Sequence, residues 1–155
     1  MKKITILLMS VAIMALCSCG SKKSKEEPVT FDFTEEHYGN IETGDLKALH
    51  GDLISVIQSG NNVVVKTKIE SSWNNDLTIK QNYFTVSDLI KNHGFNTCNE
   101  LQYWAIADMT SGMESKVISF TLDKETIDKI YNGIILDNEI GDYSSDLWIL
   151  PSLRQ

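Results

Sequence analysis

Val63-Val64-Val65-Lys66-Thr67-Lys68-Ile69-Glu70 is the stretch that decides the fold. Successive side chains of a strand point to opposite faces, so Val63, Val65, Thr67 and Ile69 fall on one side. Lys66, Lys68 and Glu70 fall on the other. Alternation of this kind predicts a sheet with one face buried and one in water, as antiparallel sheets have. Val65 sits at the centre of the buried side.

Working outward, Leu53, Ser55 and Ile57 oppose Ile54, Val56 and Gln58, and Ser59-Gly60-Asn61-Asn62 supplies a turn before the central stretch. Downstream, period-two patterning predicts strands over residues 77–81, 83–86, 101–107, 116–122, 133–136 and 146–150. Turn signals separate them at Trp73-Asn74-Asn75-Asp76, His93-Gly94 and Ser111-Gly112. One segment changes period: Asp123 is placed to cap a helix over 124–132, with Ile127, Ile130 and Tyr131 at helical spacing and Gly133 as its stop. A second, short helical turn is expected over 87–92. Seven or eight strands with one short helical insert predict a mainly β protein, an antiparallel β-sandwich. The pattern over residues 45–150 resembles the immunoglobulin-like domains of unknown function of bacterial surface lipoproteins. That resemblance brings no catalytic residues, and the immunoglobulin disulfide is absent.

The N-terminus has a different character. Lys2 and Lys3 precede Ile4–Leu16, a stretch that is apolar except for Thr5 and Ser10. A bilayer-spanning helix needs roughly 20 residues, so this shorter segment reads as a secretory signal. Leu16-Cys17-Ser18-Cys19 resembles the lipobox of bacterial lipoproteins: aliphatic Leu16, small Ser18 before the cut and the acceptor Cys19 after it. Cys17 is a poor acceptor, because bulky Leu16 would then precede the cut. The resemblance implies diacylglycerol on Cys19, cleavage after Ser18, and a protein held outside the cytoplasm on the cell membrane or outer membrane. Gly20 is not the aspartate that resembles an inner-membrane retention signal. Two acyl chains anchor stably where one, at about 0.8 kcal/mol per buried methylene, does not. The expected organisation is a signal peptide at 1–18, a lipid-bearing cysteine and tether at 19–44, and the folded domain at 45–155. Residues 20–28, with Lys22, Lys23 and Lys25, form a charged spacer.

Loss of residues 1–18 removes two lysines and no acid, leaving 12 basic and 21 acidic side chains and a formal charge of −9. An acidic body without a basic, aromatic-laced patch argues against nucleic-acid binding. Long-range attraction would favour a cationic partner. Of the three cysteines only Cys98 would remain free, so no intrachain disulfide is expected. The domain is large enough to be held by its core alone.

Chemical constellations are sparse. There is no His-Glu-x-x-His, no Gly-x-x-x-x-Gly-Lys and no Gly-x-Ser-x-Gly. His93 and Cys98 offer a thiol and an imidazole close together in the chain, against the plainer reading of a buried thiol near a loop histidine. His50 and Asp52 flank a glycine, as turns often arrange. Asp137-Asn138-Glu139 with Asp142 has oxygen donors for a weak calcium site but lacks EF-hand spacing, and a solvated acidic loop accounts for it. Asp108-Met109-Thr110-Ser111-Gly112 reads as a connection. Tyr103, Trp104 and Trp148 sit within strands, where one ring of the 103–104 pair faces the core and the other faces out. Trp73, in a polar turn, either folds over the end of the core or anchors a partner. No cofactor and no metal is called for.

Three function classes follow. The favoured one is a non-catalytic module binding an unknown protein, peptide or glycan at the cell surface. The alternative is an inhibitor or immunity-type lipoprotein capturing a basic extracellular enzyme, motivated by the charge; a thiol hydrolase comes third. The anchor is testable directly. Cys19→Ala should leave an unlipidated precursor, and a variant that still partitions into detergent after signal removal would contradict lipid attachment at Cys19.

Overall fold

The computed structural model describes residues 27–155; the segment expected as signal peptide, Cys19 and the expected tether up to residue 26 lie outside the described residues. Six strands form one sheet in chain order: β1 (His37–Asn40), β2 (Asp52–Gly60), β3 (Asn62–Lys68), β4 (Glu100–Asp108), β5 (Glu114–Asp123) and β6 (Ser145–Ile149). Neighbours are antiparallel except β3 and β4, which run parallel. A tight turn cannot join parallel strands, so the chain must cross over one face of the sheet. The crossover is α1 (Asn75–Asn92), and α2 (Lys124–Tyr131) packs beside it. A single turn, α3 (Ile140–Tyr143), precedes β6.

The alternation at 63–69 is realised: Val63, Val65 and Thr67 are fully buried, while Lys66 and Lys68 lie on the other face. Registered rows extend this inner face across the sheet, Val65 beside Tyr103 beside Phe120, and Val63 beside Leu101 beside Leu122. A bulge between Leu53 and Ser55 shifts the parity of β2. Val56 and Gln58 therefore turn inward while Ile54 stays outside. Gly60, at φ +64°, makes the tight β2–β3 turn in a conformation that L side chains resist.

The helix expected over 124–132 forms as α2. The Asp123 carboxylate accepts from the Thr126 N–H at 2.8 Å, which holds that carboxyl below its usual range. Gly133 and Ile134 close its end by donating to the carbonyls of Ile130 and Lys129. Ile127 and Ile130 are buried, whereas Tyr131 is exposed.

Three expectations are corrected. Residues 77–81 and 83–86 are not strands but the body of α1, and the turn expected at 87–92 is its end. The Asn74 side chain caps the helix by accepting from Leu77 N–H, and the buried positions Thr78, Asn82, Val86, Leu89 and Ile90 recur at helical spacing. Residues 133–136 are irregular, with Ile135 tucked into the core. The protein is β-rich and mostly antiparallel as expected, but among the described residues there is one sheet, not the two of a sandwich, because α1 and α2 supply the second layer.

The folded body begins well before residue 45, inside the span expected as tether. Phe33 is buried against Phe95, and β1 pairs with β2. Phe31 N–H donates to the His93 carbonyl, and Phe33 N–H to Thr97 Oγ1. Gly94, at φ +80°, permits this contact, since a β-carbon there would stand 1.9 Å from the Phe31 carbonyl oxygen. Residues 29–41 therefore belong to the folded body.

The register carries a stability prediction. Val65→Asp would bury an unpaired carboxylate and cost several kcal/mol, enough to unfold a marginal domain. Lys66→Asp, one position along on the wet face, should cost less than about 1 kcal/mol. Equal melting temperatures for the two variants would contradict the register.

Candidate binding face

The helices cover the inner face of the sheet, and the described chain places no second layer on the outer one. The register aligns Lys66, Trp104, Ser119 and Trp148 in a single row across β3, β4, β5 and β6. Val64, Gln102 and Thr121 form the adjacent row. As expected for the 103–104 pair, Tyr103 enters the core and Trp104 faces out; Trp148, on the edge strand, is 41% exposed.

Charge is concentrated there. The ammonium groups of Lys66 and Lys116 lie 4.9 and 5.1 Å from the centroid of the Trp104 ring. Each such contact contributes roughly 0.5–1 kcal/mol at an exposed site. The two cations are therefore within about 10 Å of one another and repel by roughly 0.4 kcal/mol or more, even in water. Lys68, Lys80, Lys91, Lys124 and Lys129 each hold a carboxylate. Lys66 and Lys116 hold none among the described residues, although acids outnumber bases in the chain.

The rim is shaped by β6. Trp148 is in register with Ser119, but Ser145 with Thr121, so β6 carries an extra residue between them. Asp146, at φ +53°, stands in the left-handed region that costs most residues energy and that aspartate tolerates better than most. The bulge keeps Trp148 on the outer face while Leu147 and Ile149 reach the core. Gln102, Trp104, Lys116, Thr121, Asp146 and Trp148 line a shallow cleft of about 440 Å³. Two indole rings, the Lys116 ammonium, a carboxylate, an amide and a hydroxyl can together stack on and hydrogen-bond a polar ligand, while Lys66 sits over Trp104 outside the cleft's own lining.

The other candidates fall elsewhere. Cys98 is fully buried, its thiol donates to the Phe95 carbonyl, and burial pushes it up to about 12. The His93 ring donates from Nδ1 to the Val29 carbonyl at 2.6 Å and sets Nε2 3.3 Å from Asp88. Both nitrogens are thus engaged away from the thiol. Those contacts form one wall of a larger cavity, about 670 Å³, whose imidazole is already committed to holding the N-terminal strap. His50 faces Glu70 at 3.8 Å and not Asp52, a partner too distant along the chain for the local pattern to name. Asp137 accepts from Lys91 at 2.5 Å and Ser87 at 2.7 Å; burial raises its carboxyl, but these bonds outweigh it and hold the group low. No group of three or more His, Cys, Asp or Glu side chains among the described residues is placed to hold a metal ion. Asp108 pairs with Lys68 at the sheet's end. Trp73 is 97% exposed in the loop before α1, so it does not close the core.

Comparison with family models, curated proteins and solved structures finds no match to this chain.

Cys98 gives this geometry a direct check. With the proton held up to about 12, a thiol-reactive probe at pH 8 should label the native protein very slowly and the denatured protein fast. The folded state binds this proton more tightly than the unfolded chain does. Stability is therefore unaffected by Cys98 below the ordinary thiol value of 9.0 and falls as pH rises from there towards 12. Rapid native labelling would contradict the buried placement.

Proposed function

We propose that this chain is a lipoprotein anchored through Cys19 on the extracytoplasmic face of the cell membrane or outer membrane. Its domain acts there as a non-catalytic binding module, and the outer sheet face receives the partner. The observation that carries this reading is the pairing of Trp104 and Trp148 with two lysines that lack carboxylate partners, on the one sheet face that the helices leave bare. Tryptophans in such settings dominate binding energy, at about 2 kcal/mol or more each. The exposed indole of Trp73 supports a second contact point from the loop before α1.

The experiment is capture from native envelope with full-length, lipidated protein and single tryptophan variants. Trp104→Ala and Trp148→Ala should each weaken capture about thirtyfold, the equivalent of about 2 kcal/mol, without lowering the melting temperature by more than a few degrees. Trp73→Ala should leave stability within about 1 kcal/mol, and its effect on capture reports whether the loop contributes. Undiminished capture by both sheet-face variants would overturn the assignment of the face.

A further inference from the structure

We infer that the outer sheet face binds a carboxylate-bearing oligosaccharide. This inference rests on the reading of that face as a binding surface, and adds the chemistry of what lies on it.

Charge complementarity is the first argument. Lys66 and Lys116 are both held over the Trp104 ring and lack a carboxylate partner among the described residues. An anion placed between them relieves their repulsion at contact distance, where neither lysine has a carboxylate of the described chain; Asp146, on the same cleft, forms no ion pair with Lys116. The net charge of the chain opposes a polyanion at long range, but that repulsion is screened beyond about 10 Å at 0.1 M salt. Contacts at hydrogen-bond distance persist.

The polar floor is the second argument. Ser119 and Thr121 on β5 lie between Trp104 and the rim, Gln102 stands beside Trp104 on β4, and Asp146 adds an acceptor near Trp148. The hydroxyl of the half-buried Thr121 makes no side-chain hydrogen bond within the described chain and is open to a ligand, whereas Ser119 is buried beneath the two indoles' row. A sugar ring has an apolar C–H face that stacks on an indole and an edge of hydroxyls that pair with amides, hydroxyls and carboxylates. Orientation by a few polar groups around an aromatic surface is how small-ligand sites gain specificity.

A sugar and an acidic peptide would meet this face differently. An extended peptide gains affinity by adding its backbone to a sheet edge. Across the face of a sheet the backbone groups are already spent in the ladder, and only side chains are offered. That arrangement suits a ligand whose own polar groups project around a ring.

The test is titration calorimetry of the full-length chain in detergent at about 0.1 M salt, where surface charges are screened beyond roughly 10 Å. The probes are hexameric oligogalacturonate, oligomannuronate and hyaluronan oligosaccharide, with methyl-esterified oligogalacturonate and polyglutamate as comparisons. At least one of the three acidic sugars should bind. Lys66→Ala/Lys116→Ala and Trp148→Ala should each weaken it at least tenfold with melting temperatures preserved. For oligogalacturonate, removal of the carboxylate charge by methyl esterification should do the same. Binding by none of the three sugars overturns the inference, as does unchanged affinity in the double lysine variant. Polyglutamate binding as tightly as the best sugar would assign the face to acidic peptides instead. Envelope capture that depends on Trp104 and Trp148 while every acidic sugar fails would remove this inference and leave the binding face standing; loss of both results removes both.

Discussion

The parallel pairing of β3 with β4 is the constraint on which the rest of the structure depends. It forces a crossover, the crossover is α1, and α1 can lie on only one face of the sheet. A buried hydrogen-bond chain fastens it there: Thr67 on β3 and Asn82 on α1 both bond the Tyr103 hydroxyl on β4, at 2.6 and 2.9 Å. Burial holds that phenol in its neutral form. Removing the Tyr103 hydroxyl itself would take the shared partner from both Thr67 and Asn82, at a cost of about 1–3 kcal/mol. The helix fixes the inner face as core, and by the same act leaves Lys66, Trp104 and Trp148 on the opposite face, over which the described chain lays no second layer.

Much of the sheet was legible because its signals are local. The two-sided stretch at 63–69, the strands near 101–107 and 116–122 and the capped helix after Asp123 are each written in period and cap chemistry within a short window. The helix α1 was not legible in the same way. Thr78, Ile79, Tyr83, Phe84, Thr85 and Val86 are β-branched or aromatic, and read alone they favour strand. The Asn74 cap and a buried stripe at helical spacing override that preference once there is a sheet to pack against. Reading that segment as two strands is also what turned a one-sheet protein with a helical layer into an expected sandwich.

The candidate face was half legible. That Trp104 points away from the core follows from its parity with Tyr103. That Lys66, Lys116 and Trp148 gather around it does not, because the row is created by pairing among four strands, and Lys66 and Trp104 stand on opposite sides of the α1 crossover in the chain. Asp146 left no trace in the pattern, since a bulge is a property of two strands in register. Trp73 and the His93–Cys98 spacing attracted attention because they are conspicuous along the chain. The fold leaves the first fully exposed and gives the members of the second separate partners. Local conspicuousness and spatial convergence are different signals, and the proposed binding face belongs to the second kind.

The measurement that bears most directly on this account is hydroxyl-radical footprinting of the three tryptophans in the protein as its native cell makes it, free and then on native envelope. The bare-face account predicts that oxidation of Trp148 and Trp104 falls on the envelope. Protection confined to Trp73, or no protection of any tryptophan, would contradict it.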